Sequence, residues 1–122
     1  MVNQPYTGFR RIPYSRPCRV ERKSGALQGQ ICNISVLGLY VSSDPLPDVG
    51  EDVQLSFPLP SGEPMVRCNA VVTWQNPEEP QKVDSLPAGC GLRFVALSQK
   101  DRTRIEELIE AFFAAGSGTP NR

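Results

Sequence analysis

Asn33, Ser35 and Gly38 punctuate the stretch Asn33-Ile34-Ser35-Val36-Leu37-Gly38, and Arg10, Arg11 and Arg16 lie upstream of it. Guanidinium groups grip phosphate oxygens through paired, charge-assisted hydrogen bonds and stack on purine faces. Asn and Ser add short-range polar contacts where a loop brings them close. Gly38 permits either close backbone approach or a positive φ. These residue types suit an anion site. They suit equally a turn that caps itself, with Asn33 and Ser35 bonded to their own backbone. On the residues alone both readings stay open.

Charge narrows the choice of partner. The formal net charge is zero, yet residues 1–43 carry six basic residues and one acid, while the remainder is acidic by the same margin. Such polarity suits an anionic partner at the N-terminal end, or a solvated basic arm. A long nucleic acid needs a broader basic surface. A small phosphorylated ligand fits the scale better.

Other chemistry is missing from the sequence. The chain has no histidine, so acid–base work would fall to carboxylates, lysine or cysteine. No nucleophile elbow, phosphate-cradling glycine loop or framed carboxylate pair is visible. Cys18, Cys32, Cys68 and Cys90 are widely spaced, without C-x-x-C, and read as small buried apolar residues rather than metal ligands. A non-enzymatic protein with no cofactor or metal is expected. The N-terminus lacks a signal-like apolar stretch, and no apolar run approaches the ~18 residues of a membrane span. The expectation is a cytoplasmic protein with no membrane insertion.

The elements that must position these residues are mostly strands. At 122 residues the chain suits one domain. Residues 1–16 read as a flexible basic leader, 17–114 as the folded unit and 115–122 as a disordered tail. Strand patterns occur in CRVERK, LQGQIC, LYVSS, DVQLSFPL, MVRCNAVVTW and GCGLRFVAL. In the fifth of these, Val66, Cys68, Ala70, Val72 and Trp74 share one face, expected to point inward. Residues 76–88 read as a polar loop. Short strands with regular turns suggest a barrel, since closure removes exposed edges. Ser98 with Asp101 marks a helix start, Ile105, Leu108, Ile109, Phe112 and Phe113 follow at helical spacing, and Gly116 is the expected end.

Asn33-Ile34-Ser35-Val36-Leu37-Gly38 matches the [D/N]-x-S-x-x-G motif of PilZ domains, the bacterial receptors for cyclic di-GMP. The following LYV, the strand ending in VVTW, and GCGLRFVALSQKDRTRIEELI also resemble that family, over residues ~10–114. The resemblance implies a six-stranded antiparallel PilZ-like β-barrel with one C-terminal α-helix. It also implies an arginine-bearing N-terminal loop that folds over the ligand. Asn33, Ser35 and Gly38 fall on positions that contact the guanine and its phosphate edge, with Arg10, Arg11 and Arg16 as the candidate arginines. The family's R-x-x-x-R spacing is not met: aligned on Arg11-Ile12-Pro13, Arg11 is the second arginine and Thr7 takes the place of the first. The function implied is cyclic di-GMP sensing that alters engagement of a protein partner. The alternative is a degenerate PilZ domain acting as a ligand-independent interaction module.

Overall fold

A computed structural model describes residues 10–78 and 85–117. The leader residues up to 9 (Thr7 among them), the loop segment 79–84 and the tail from 118 lie outside the described residues. The strands are β1 (Ile12–Pro13), β2 (Pro17–Arg22), β3 (Gly25–Ile34), β4 (Gly38–Ser42), β5 (Asp52–Leu59), β6 (Gly62–Asn76) and β7 (Gly89–Phe94), followed by helix α1 (Gln99–Phe112). All pairings are antiparallel, in the order β3-β2-β5-β6-β7-β4, and a β3–β4 pairing closes the ring. The result is the expected six-stranded barrel with a C-terminal helix. The short β1 adds to the upper end of β3.

Alternation explains which side chains point inward. Along β5, Val53, Leu55, Phe57 and Leu59 are buried, while Asp52 and Gln54 face water. Val66, Cys68, Ala70 and Val72 do the same along β6. Each fully buried aliphatic or aromatic side chain contributes roughly 1.5–3 kcal/mol relative to exposure. Trp74 departs from the expected inward face. A register shift between Val72 and Trp74 pairs Trp74 with Gly91 and turns the indole outward.

Ile12 and Tyr14, both within the stretch read as leader, are buried in the core. Ile12 pairs with Ile34 and the Tyr14 hydroxyl donates to the Pro58 carbonyl, so the chain is pinned to the barrel from residue 12 onward. This anchoring sets the direction of Arg10 and Arg11.

Ser98 caps α1, its hydroxyl accepting the Asp101 N–H at 3.1 Å. Ile105 and Ile109 are buried against the barrel, and Arg104 ties the helix to the β5–β6 turn through the Gly62 carbonyl at 2.9 Å. The α-helix stops at Phe112, short of Gly116, and a π-helical turn covers Phe113–Ser117. Phe113 packs on the core, while Phe112 stays 40% exposed.

The barrel interior holds three thiols. Burial pushes Cys18 up to about 12, and Cys68 and Cys90 to about 11. In the unfolded chain a thiol ionises near ~8.5. Above that pH the unfolded state sheds protons that the folded state keeps, so stability falls as pH rises through ~9 and towards the folded values. The urea midpoint should therefore drop between pH 8 and pH 10, and drop less in a Cys18→Ala variant. An equal drop in both proteins would contradict this burial.

Candidate functional site

The site starts from β1. Ile12 and Ile34 face inward as partners, so Arg11, Pro13 and Asn33 take the outer face. One Arg11 Nη donates to Asn33 Oδ1 at 2.9 Å and to the Gly38 carbonyl at 3.4 Å. Arg11 thus touches both Asn33 and Gly38, which lie 22 and 27 residues further along the chain. Burial by neighbouring atoms lowers the Arg11 pKa, but a guanidinium remains charged at any physiological pH. Among the described residues, its other N–H groups and the Asn33 side-chain NH2 make no further hydrogen bond and can meet a ligand.

Ser35 has a different position. It is 1% exposed, its N–H donates to the Gly38 carbonyl at 2.9 Å, and its Oγ accepts the Leu37 N–H at 3.0 Å. The Phe94 N–H then holds the Leu37 carbonyl at 2.8 Å, which fastens the loop to β7. The serine caps the turn, and the asparagine faces outward. Ser35→Ala should cost about 1 kcal/mol by removing the acceptor of the part-buried Leu37 N–H bond. Urea denaturation checks this; an unchanged midpoint would show the hydroxyl to be dispensable.

Gly38 serves close approach rather than a positive φ. A Cβ there would sit 1.8 Å from the Leu92 carbonyl oxygen.

Registers continue the outer face from Asn33 across the sheet. Asn33 pairs with Tyr40, Tyr40 with Gly91 and Gly91 with Trp74. Three strand spacings make this row roughly 14 Å long. Gly91 leaves the room that Trp74 fills: a Cβ would lie 2.2 Å from the indole Nε1. Trp74 packs on Tyr40 with ring centroids 5.4 Å apart, and the Tyr40 hydroxyl donates to the Pro87 carbonyl at 2.6 Å while accepting from the buried Asn76 amide at 3.2 Å. Tyr40 is buried beneath, and Trp74 presents the half-exposed aromatic surface. Neither was among the sequence candidates. The alternate glycines Gly89 and Gly91, which leave one strand face bare beside aromatic residues, were the available signal.

The other two arginines point elsewhere. The Arg10 guanidinium lies over the Phe113 ring, 4.0 Å from its centroid. Arg16 donates to the Ser15 carbonyl at 2.8 Å and sits 5.4 Å from the Tyr14 ring centroid. Arg10, Arg11 and Arg16 are therefore not gathered into one clamp.

The sequence matches the PilZ domain family over residues 7–111. The chain belongs to the PilZ domain family. Its members are binding and adaptor domains, not enzymes. Solved structures agree on the fold. The Bacillus subtilis inhibitor of motility MotI/DgrA superposes with a TM-score of 0.73 at 18% identity over 95% of this chain, which spans about half (54%) of that one. The PilZ domain of YcgR from Escherichia coli, solved with c-di-GMP, gives 0.65 at 13% identity, covering 89% of this chain and 96% of the other. The PilZ domain of CeSA from a cellulose-synthesizing bacterium gives 0.56 at 14% identity over 84% and 97%. No curated protein matches the sequence.

A groove of about 710 Å3 lies away from the motif, on the outer face of β2, β5 and β6 of this PilZ domain. Arg19, Glu21, Lys23, Asp52, Gln54 and Asn69 line it, a mixture of charges with no convergence on one ligand type. The Arg11–Asn33–Trp74 face is chemically coherent, with a guanidinium, an amide and an indole along one row. Among the described residues no cluster of His, Cys, Asp or Glu could hold a metal, and no helix is long and apolar enough to cross a membrane.

Proposed function

We propose that this PilZ domain senses cyclic di-GMP in the cytoplasm on the outer face formed by β1, β3, β4, β7 and the end of β6, and that binding alters its engagement of a protein partner. The observation that carries the reading is the direct contact of Arg11 with Asn33 and Gly38. An arginine fork beside an outward amide suits a phosphate and the edge of a guanine, and the indole of Trp74 suits a purine face. In this reading Arg10, Arg11 and Arg16 supply cations, Asn33 supplies the polar edge, and Ser35 and Gly38 hold the loop that carries it. YcgR, solved with c-di-GMP, and MotI, an inhibitor of motility, support a sensor that acts on other proteins.

A second reading is a ligand-independent interaction module. The divided arginines favour it, since Arg10 and Arg16 are engaged elsewhere and position 7 is Thr. Fluorescence separates the two, because Trp74 is the single tryptophan. Cyclic di-GMP should change its emission saturably, and GMP at equal concentration should not. Emission indifferent to both nucleotides would favour the module.

A further inference from the structure

We infer that Phe113 is a positioning residue of the nucleotide site, holding the Arg10 guanidinium at the barrel rim for an anionic ligand. This rests on the reading that the rim binds cyclic di-GMP. Arg10 and Arg11 are consecutive, and the pinning of Ile12 sends their side chains apart: Arg11 to Asn33, Arg10 to the end of the C-terminal helix. Phe113 is itself well placed. Its N–H bonds to the Ile109 and Glu110 carbonyls, its ring packs on the core, and Phe112 meets it edge-on at 5.3 Å.

Stacking on a ring uses one face of a guanidinium, while its five N–H donors lie in the plane and stay available. Arg10 has no hydrogen bond or salt bridge within the described residues. Phe113 therefore orders a cation without neutralising it. A phosphate can bind in the guanidinium plane while the ring contact persists, so the ligand meets an arginine already confined. Linkage makes the effect mutual: whatever Phe113 adds to ligand affinity, the ligand returns as order in the terminal turn. The helix end thereby becomes a part of the site that senses occupancy.

A double-mutant cycle tests this, with cyclic di-GMP affinity measured by calorimetry at fixed salt for wild type, Phe113→Leu, Arg10→Gln and the pair. Phe113→Leu keeps apolar bulk and removes the ring, and should weaken binding about two- to five-fold. The double variant should bind no worse than Arg10→Gln, because the ring acts only through the arginine. Phe113→Tyr, which keeps a ring, should bind as wild type does; loss of affinity there would count against ring stacking even if the leucine variant fails to fold. Multiplying factors in the cycle would overturn the inference and leave the binding site standing. A wild type that does not bind would overturn both.

Discussion

Replacing Arg11 with alanine should weaken cyclic di-GMP binding about 10- to 150-fold. A charge-assisted hydrogen bond is worth roughly 1.5–3 kcal/mol, and each 1.4 kcal/mol is a factor of ten. Arg11 is the arginine already seated between Asn33 and Gly38, so its loss removes the cation nearest the motif. Folding should survive, because the side chain lies on the outer face and its two contacts are with a partly exposed amide and a carbonyl that Ser35 also serves. Arg11→Lys should recover only part of the affinity, since a point charge cannot present a planar fork. Calorimetry on the two variants checks this, with thermal melts as the control. Wild-type affinity in Arg11→Ala would place the phosphate elsewhere.

Gly38→Ala should be severely destabilising, at about 3 kcal/mol or more of lost stability, because its Cβ would make the closest clash among the glycines described. The added carbon would overlap a backbone oxygen of β7, which cannot swing away, and β4 would have to part from β7 where Leu39 pairs with Leu92. Total stability is only about 5–15 kcal/mol, so such a loss is a large share of it. Gly91→Ala makes the instructive comparison. There the obstructing atoms belong mainly to the Trp74 side chain, which can move, so the loss should be smaller. Urea midpoints give the order, and Gly91→Ala matching Gly38→Ala would contradict the distinction.

Strands facing one core were legible because alternation is a local signal. Val53, Leu55 and Phe57 in β5 and Val66 to Val72 in β6 face as their spacing indicates. What failed depended on partners remote in sequence. Trp74 continues the alternation of Val72, and only pairing with β7 introduces the shift that turns it outward. Ile12 and Tyr14 sit among prolines without periodicity, and their burial comes from β3 and Pro58.

The candidate site divides along the same line. Asn33, Gly38 and Arg11 were recognisable by type and motif, and they meet in space. The inward turn of Ser35 was not legible, because a serine that caps a loop and one that faces a ligand look alike in sequence. Nor was the attachment of Arg10 to Phe113, residues from opposite ends of the chain.

Cyclic di-GMP binding by this domain is decided by calorimetric titration of the wild-type protein. Saturable heat is expected at moderate ionic strength, weakening as salt screens the arginine contacts. Absence of heat up to about 1 mM ligand, the region of binding weaker than about −4 kcal/mol, together with unmoved amide resonances at Asn33 and Trp74, would contradict it.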